Sequence, residues 1–409
     1  MAPVLGIAAR PDGRGILAWF DPISLKTLPG RKAPLGTHRG AWSFSHDRSV
    51  LAIADYKKSE LRFIDARRMR VLGDLRLSGG GTAWLLSWVR PDRLLAVVGG
   101  EQATQLVVVN PRTRAVVRRT ELPPGPVWSS ATTGVTGGLV LLLGADGAFE
   151  PTRVAVVDAD GGVRVATVSQ ILIGTVWKER EGESPVGDIR QPGLAVDPSG
   201  GRAFLIGAGA PVAEIDLATL DVSYHEVSEP ISLLGRLRHW LEPAAQAKVL
   251  TGPTRYARWV SDDLIAVAGS DRSTWKDAQG KEQYRARAAG VRLIDTRTWT
   301  VRTLNADATS FQTGSGVVFA MGGSWDSSTQ TRDGVGIAAY DLNGRERYRL
   351  HTGENVWLNV AASLGYIYLG GEGERVEIVD LATGAILRRL DRVSSEAWPD
   401  LLAASGSVP

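Results

Sequence analysis

The amino-acid sequence predicts an all-β protein that forms one domain over residues 1–409, an eight-bladed β-propeller of four-stranded blades. Two observations predict this fold. A strand that ends in Asp or Asn and enters a polar turn recurs eight times, and a strand rich in small apolar residues precedes each copy. Such repeats indicate a propeller or a solenoid, because each copy is one supersecondary unit that must pack on its neighbours. We number these copies units 1 to 8 in chain order.

The strand and turn that define each unit have a local chemical basis. A carboxylate or amide at the strand end can accept hydrogen bonds from backbone N–H groups two residues further along, and so fix the turn. The turn residues are Asp21, Asp65, Asn110, Asp158, Asp216, Asp295, Asp341 and Asp380.

Two further strands precede the motif in units 2 to 8, and one precedes it in unit 1. The second strands begin at Val4, Val50, Leu94, Leu139, Ala203, Leu264, Val317 and Tyr366. First strands are expected at residues 41–45, 83–89, 127–131, 194–197, 256–260, 310–313 and 356–361. Unit 1 lacks one, but residues 397–404 resemble residues 356–362. We therefore expect the C-terminal strand to close the first blade, which would remove exposed strand edges.

A seven-bladed ring is the alternative. Eight units in 409 residues average about 51 residues each, slightly more than a compact blade of 40–45 residues. A seven-bladed ring would require one copy to be an elaborated hairpin, and units 5 and 7 are the least regular.

Composition excludes several function classes. The chain is 44% hydrophobic and 22% charged with a formal net charge of +3, which is typical of a folded soluble protein. Its basic residues are scattered, so we expect no nucleic-acid partner. It has no Cys, and its five His lack metal-ligand spacing, so we expect no metal and no cofactor. We find no transmembrane segment or signal-peptide pattern and expect a monomer.

Four long insertions indicate a functional face of the ring. They cover residues 169–192, 228–254, 270–289 and 323–334, over units 4 to 7. In propellers the first strands line the central channel. The loops that enter them, and those between second and third strands, open on one face, here called the top face. All four insertions are predicted on this face, and insertions in repeat proteins tend to collect on the binding face.

The insertion at residues 228–254 has its own periodicity. Apolar residues at spacings of three and four predict a helix after Ser228-Glu229-Pro230. This helix would either pack on the rim of the ring or meet a membrane or a partner protein.

Tryptophan is abundant, with 13 residues, and its placement is not random. Five indoles lie where a first strand begins, and Trp259 occupies a similar place in unit 6. A ring of Trp at the channel mouth could stack on sugars, cations or planar ligands. The alternative is that these indoles wedge between blades. The five are Trp42, Trp84, Trp128, Trp357 and Trp398.

Polar residues are predicted at the same rim. Arg39, Arg255 and Arg258 lie near it in the sequence pattern, and His38 and Glu354 could serve acid–base chemistry. His38, Arg258 and Glu354 complete the predicted ligand-binding set with the six Trp. The chain has no Gly-X-Ser-X-Gly elbow in a strand-to-helix context and no loop with calcium spacing.

The repeats resemble those of known propellers. Gly36-Thr37-His38, followed by Ser45-His46-Asp47, looks like the Gly-His…Ser-Pro-Asp segment of WD40-type repeats. Val376-Glu377-Ile378-Val379-Asp380-Leu381-Ala382-Thr383-Gly384 resembles the strand and turn of YVTN/YncE-like bacterial propellers. The WD40 ending Trp-Asp is absent from all eight units, and Trp325-Asp326 is predicted in a loop. The resemblance implies fold more than activity. Because such relatives are often exported, it favours an extracytoplasmic over a cytoplasmic location, with a leader removed.

We expect a non-catalytic binding protein that presents a Trp-rich top face and a central funnel to a protein, a glycan or a small molecule. The alternative is a propeller enzyme of the lactonase, lyase or quinone-dependent dehydrogenase type that uses the same funnel.

Overall fold

The computed structural model describes residues 1–9, 14–37, 40–55, 58–77, 81–99, 103–133, 137–180, 183–227, 252–276, 279, 282–369, 375–391 and 400–401. All regular secondary structure in these ranges is β-strand, and the strand pairs are antiparallel. None of the elements described is a helix of the length and hydropathy needed to cross a membrane. The helix predicted after residue 228 lies outside the described residues.

The first four units contain strands β1 to β16. Unit 1 has β1 (Val4–Ala9), β2 (Gly15–Phe20) and β3 (Thr27–Gly36). Unit 2 has β4 (Trp42–Phe44), β5 (Val50–Asp55), β6 (Glu60–Asp65) and β7 (Arg70–Arg76). Unit 3 has β8 (Thr82–Arg90), β9 (Arg93–Gly99), β10 (Thr104–Asn110) and β11 (Ala115–Glu121). Unit 4 has β12 (Val127–Thr133), β13 (Gly138–Leu143), β14 (Phe149–Val157), β15 (Val163–Arg180) and β16 (Glu183–Arg190).

The last four units contain strands β17 to β33, and β34 follows them. Unit 5 has β17 (Gly193–Val196), β18 (Arg202–Ile206), β19 (Val212–Asp216) and β20 (Val222–His225). Unit 6 has β21 (Gly252–Ser261), β22 (Leu264–Lys276), β23 (Glu282–Ala288), β24 (Val291–Asp295) and β25 (Thr300–Asn305). Unit 7 has β26 (Ser310–Gly314), β27 (Val317–Asp326), β28 (Thr331–Asp341) and β29 (Glu346–Leu350). Unit 8 has β30 (Val356–Ala361), β31 (Leu364–Leu369), β32 (Arg375–Asp380) and β33 (Ile386–Leu390), and β34 is Asp400–Leu401.

Strands pair in chain order within most units, so a unit is a meander; in unit 6, β22 pairs with β24 as well as with the hairpin strand β23. In unit 2, for example, the order is β4-β5-β6-β7. Unit 1 differs because β34 takes the place of its first strand: Ile7 pairs with Asp400 and Gly6 with Leu401. First strands of consecutive units contact each other, as β4 contacts β8 and β26 contacts β30. First strands therefore lie on the inner side of the array.

The turn that follows the third strand is fixed as the sequence predicts. In all eight units the turn residue accepts a hydrogen bond from the backbone N–H two residues on. In unit 8, Asp380 Oδ1 also accepts from the N–H of Thr383 at 2.9 Å. These turns mark the end of each unit opposite the top face.

The core lies between units rather than inside them. Alternate residues of a strand point to opposite faces of its sheet. In β9, Leu94 and Ala96 accordingly pack toward unit 2, while Leu95 and Val97 pack toward unit 4. Both faces of the middle strands are buried, which explains their nearly continuous apolar sequences. Each pair of consecutive units shares a buried apolar cluster of this kind.

A further cluster joins the two ends of the chain. Ala18 and Phe20 of unit 1 pack with Tyr366 and Ile378 of unit 8. The buried Tyr366 hydroxyl donates a hydrogen bond of 3.1 Å to the carbonyl of Pro22, 344 residues away in sequence. Unit 8 thus contacts unit 1 through the same type of interface that joins consecutive units.

Three of the four predicted insertions fall mainly in the described residues, and they are hairpins rather than loops. Residues 169–190 extend β15 and add β16 as a fifth strand. β22 and β23 form a second hairpin, and β27 and β28 extend into a third. These last two pair with each other, Ala286 with Trp325, and merge units 6 and 7 into a nine-stranded sheet.

Candidate functional site

Two predicted rim tryptophans are bulge residues at the top end of the first strands. Trp84 interrupts the β8–β9 register between Ala83 and Leu85, and Trp128 interrupts the β12–β13 register in the same way. A bulge leaves one residue unpaired and redirects its side chain. The indole Nε1 of Trp84 lies over Gly99, and that of Trp128 over Gly144, where a Cβ atom would meet it at 3.3 Å and 2.3 Å. Glycine at these strand ends therefore makes room for the indole.

Two more aromatic residues occupy the same level in other units. Trp357 pairs with Tyr368, four residues beyond the partner of turn residue Asp380. Tyr256 pairs with Ala268, four residues beyond the partner of Asp295. The exposed fractions are 42% for Trp84, 52% for Tyr256 and 48% for Trp357, high for side chains of this size. Trp128 is only partly exposed and packs on the cluster between units 4 and 5.

Other predicted rim tryptophans are placed differently. The prediction that Trp259 lies at the rim is wrong. It pairs with Ile265 near the bottom end of the strand and stacks on Phe204, with ring centroids 5.6 Å apart. It is a packing residue between units 5 and 6. Trp42 lies one step below the rim level, paired with Ile53, and packs between units 1 and 2. The wedging alternative therefore describes these two. Trp398 and His38 lie outside the described residues.

Arg258 lies below the rim, on β21, and faces unit 7. Its Nη1 donates to Oγ1 of Thr313 at 3.3 Å. Burial lowers the pKa of this guanidinium below its ordinary value. Tyr256 is two residues earlier on the same strand face. Arg258 thus places a partly desolvated positive charge beneath the aromatic level.

Glu354 lies at the top of unit 8 in a network of charged side chains. Its Oε2 is 3.5 Å from Nδ1 of His351, and Nε2 of His351 is 2.8 Å from the buried Glu377. Arg389 holds the other oxygen of Glu377 at 2.8 Å. This network fixes the loop that leads into β30. The Glu354 side chain is well exposed at the rim. Sequence reasoning named Glu354 but not His351, with which it pairs.

An aromatic cleft of about 600 Å³ opens between units 7 and 8 at the top face. One wall comes from the extended hairpin of unit 7 and the other from the top of β30 and β31. Three aromatic rings line it, those of Trp325, Trp357 and Tyr368, together with the guanidinium of Arg332. The remaining lining residues are Thr309, Ser310, Gly322, Gly323, Asn355, Val356 and Leu369.

Contacts between the two hairpins position the unit 7 wall of this cleft. Arg285 Nε donates to the Asp326 carboxylate at 2.6 Å. Hydrogen bonds from Ser328, together with this contact, lower the pKa of Asp326 to about 2. The backbone N–H of Ser327 donates to the carbonyl of Tyr284 at 2.9 Å. Arg332 lies over the indole of Trp325, 5.2 Å from the ring centroid. The residue predicted to lie in a loop, Trp325, is thus at the end of a strand.

Sequence reasoning missed Tyr256, Trp325, Tyr368 and Arg332. The strand partner of Tyr256 lies four residues after the partner of its turn residue, as does the partner of Trp357. Applying this spacing to every unit would have identified Tyr256. No sequence pattern indicates that the two insertion hairpins pair with each other. The position of Trp325, which depends on this pairing, could therefore not be predicted.

Meandering sheets packed face to face, with first strands innermost and one aromatic face, define this chain as a β-propeller. No protein-family model matches the chain, and no curated protein does. Among solved structures it is similar to the dihydro-heme d1 dehydrogenase NirN in complex with DHE. That likeness has a TM-score of 0.56 at 12% identity and covers 95% of this chain and 73% of that one.

Two other solved structures are similar at lower scores. BamB from Moraxella catarrhalis has 14% identity and a TM-score of 0.45, over 89% of this chain and 88% of that one. The Cps50 (Swd1) β-propeller domain from Myceliophteria thermophila has 11% identity and a TM-score of 0.40, over 87% and 86%. Identities this low concern the fold and leave activity open.

Proposed function

We propose that this protein is a binding propeller of the YVTN/YncE-like kind that captures its ligand at the top face by contact with aromatic side chains. The observation that carries the proposal is the shared level of Trp84, Tyr256 and Trp357, three large aromatic residues that remain substantially exposed. Exposed aromatic residues gathered on one face are typical of recognition surfaces.

The chemistry of the described top-face residues favours binding over turnover. The lining of the cleft offers aromatic, hydroxyl, amide and guanidinium groups. A propeller enzyme would instead need a general acid or base beside its substrate. Glu354, the predicted candidate, is held by His351 outside the residues that line the cleft. We keep the enzyme as the alternative to be tested by turnover.

We propose further that the eight units form a closed eight-bladed ring, with β34 completing the first blade. Two features support this arrangement. The buried cluster between units 8 and 1 is built like the clusters between consecutive units. The Tyr366–Pro22 hydrogen bond and the pairing of Ile7 with Asp400 join the chain ends directly.

The binding proposal predicts that removing the exposed aromatic level abolishes capture. The variant Trp84→Ala/Tyr256→Ala/Trp357→Ala should fold, because all three side chains are exposed. An oligosaccharide array and an immobilised panel of aromatic compounds serve as probes, read by biolayer interferometry. We expect at least one probe to bind the wild-type protein and to lose about ten-fold or more in affinity in the variant.

A matched variant controls for loss of apolar surface elsewhere. Val117, Ile386 and Leu387 are comparably exposed on outer strands, away from the top face. Their triple replacement by Ala should leave binding unchanged. The proposal is wrong if no probe binds the wild-type protein, or if the folded top-face variant binds as well as the control. Turnover of a bound probe would establish the enzyme alternative.

A further inference from the structure

The cleft between units 7 and 8 has the shape of a site for a flat ring. The indole of Trp325 stands on one wall, and the indole of Trp357 and the phenol ring of Tyr368 stand on the other. Flat aromatic side chains contribute contact area and prefer stacked or edge-on partners. A volume of about 600 Å³ exceeds that of a single ring and lies in the range of small-molecule pockets.

The charge of the cleft selects against cations. Arg332 is the charged residue in its described lining, and no carboxylate of the described residues lines it. Carboxylates nearby are engaged elsewhere: Asp326 pairs with Arg285, and Glu354 with His351. In the described part of the chain, Arg332 contacts the face of Trp325 and has no carboxylate within ion-pair distance. Its exposed guanidinium can therefore receive an anion, with two parallel N–H donors matching a carboxylate.

A hydrogen-bond donor in the same wall lacks an acceptor. Nε1 of Trp325 is buried and has no partner among the described residues. A buried indole N–H usually finds a partner, since leaving it unpaired costs free energy. Because this N–H is enclosed by protein atoms, the exposed guanidinium of Arg332 is a donor open to a ligand at this end of the cleft.

Resting on the proposed function, we infer that this cleft binds an aromatic carboxylate: a planar ring stacked between Trp325 and Trp357, with its carboxylate on Arg332. A sugar acid fits less well. Its several hydroxyl groups would each need a partner in a lining dominated by aromatic and aliphatic surface, and buried hydroxyls without partners are costly. A planar ring leaves only the carboxylate to satisfy.

The test uses 2-naphthoate as the probe and 2-naphthamide as its uncharged isostere, with isothermal titration calorimetry on the full chain. We expect 2-naphthoate to bind with a Kd of about 1 mM or tighter, and about ten-fold more tightly than 2-naphthamide. Arg332→Gln should weaken 2-naphthoate about ten-fold and leave 2-naphthamide unchanged. Arg347→Gln is the matched control, an exposed arginine on β29 of the same unit, and should change neither.

Two variants at Trp325 test the stacking contact. Trp325→Phe keeps a smaller ring, so it should weaken both probes by a few-fold. Trp325→Ala should weaken both probes about ten-fold if the indole stacks on the ring. Should Trp325→Ala fail to fold, Trp325→Phe and Arg332→Gln still decide the question.

Three outcomes would overturn the inference: equal binding of 2-naphthoate and 2-naphthamide, equal effects of Arg332→Gln and Arg347→Gln, or tighter binding of galacturonate than of 2-naphthoate. If 2-naphthoate fails to bind while another probe binds at the top face, the aromatic carboxylate is wrong and the binding function stands. If no probe binds anywhere, the binding function itself fails.

Discussion

At the scale of single residues, the turn after each third strand is the best-defined chemical feature of this protein. Asp21, Asp65, Asp216, Asp295 and Asp380 each have a pKa below the ordinary value, because hydrogen bonds within the turn stabilise the carboxylate. For Asp380 the Thr383 hydroxyl contributes most, and backbone N–H groups contribute at all five. Asn110 makes the same type of bond with a neutral amide. Unit 3 therefore shows that the same turn can form around a residue without an ionisable group.

This difference predicts how acid affects stability. A carboxylate whose pKa is lowered by folding stabilises the protein above its unfolded pKa, and the contribution is lost as pH falls through the folded pKa. Asp65→Asn keeps an acceptor for the N–H groups of Arg67 and Arg68 but cannot be protonated. As pH falls below about 4, the ordinary range of an Asp carboxyl, the free energy of unfolding should therefore fall less steeply than in the wild-type protein.

Urea unfolding at a series of pH values measures this slope. Asp262→Asn, at an exposed carboxylate outside the eight turns, should leave the slope unchanged. Equal slopes in wild-type protein and Asp65→Asn would show that the turn carboxylate does not contribute.

The turns also contain backbone strain at one position. Four residues beyond the turn residue the chain enters the left-handed region, with φ 52° at Arg114, 69° at Leu220 and 74° at Gly384. Only glycine adopts this conformation without steric cost. Unit 8 has glycine there, and unit 3 has the exposed Arg114.

We predict that Arg114→Gly raises the free energy of unfolding by about 0.5–1 kcal/mol, because relief of the left-handed strain exceeds the entropy that glycine adds to the unfolded chain. Arg112→Gly, in the same turn but without a positive φ, should lower it by about 0.5 kcal/mol. Chemical denaturation gives both values. A decrease for both variants would contradict the strain argument.

Residue-level features were predictable from the sequence only where their cause is local. The eight turns were found because Asp or Asn bonds its own neighbours within a few residues. Trp259 was placed wrongly because its register is set by pairing with Ile265, and not by its distance from the start of the strand. Trp84 and Trp357 were placed at the rim without any sign that they, unlike Trp42, remain exposed.

At the scale of elements, the middle strands and the insertions differ in predictability. Middle strands such as β9 and β13 are apolar on both faces, and the sequence predicted their starts to within one residue, at Leu94 against Arg93 and at Leu139 against Gly138. The insertions at residues 270–289 and 323–334 read as polar loops because their described residues add no apolar side chain to the buried core. β22 carries Arg272 and Trp275, and β23 carries Tyr284. None of these three side chains is fully buried.

The pairing of two insertion hairpins could not be predicted from either one alone. Arg285 meets Asp326 and Ala286 meets Trp325 only once units 6 and 7 lie side by side. The cleft depends on this pairing, since it fixes the strand that carries Trp325. Sequence reasoning therefore named Trp84 and Trp357, missed Tyr256 and misplaced Trp259, and it gave no sign of the adjoining cleft.

At the scale of the whole molecule, stability depends on how the chain ends meet. β34 contributes two residue pairs to β1, whereas β1 and β2 share six. The buried cluster of Phe20 and Tyr366 adds apolar contact between units 1 and 8. The two ends of the chain are thus held mainly by buried apolar contact and only by two backbone residue pairs in the described residues.

Deletion of residues 397–409 tests the proposed closure. We predict a lower Tm and association that increases with protein concentration, because the freed edge of β1 presents unpaired N–H and C=O groups to another chain. Thermal unfolding and analytical ultracentrifugation measure the two effects. An unchanged Tm in a truncated protein that stays monomeric would mean that the C-terminal segment does not complete the first blade.

The nine-stranded sheet has a consequence for cooperativity. In a repeat array each unit contacts only its neighbours, so local opening can in principle proceed unit by unit. Backbone pairing between the hairpins of units 6 and 7 ties these two units together beyond their shared core. Amide hydrogen exchange in β23 and β27 should therefore report one opening event with a common free energy, making this pair a single thermodynamic unit within an otherwise modular chain.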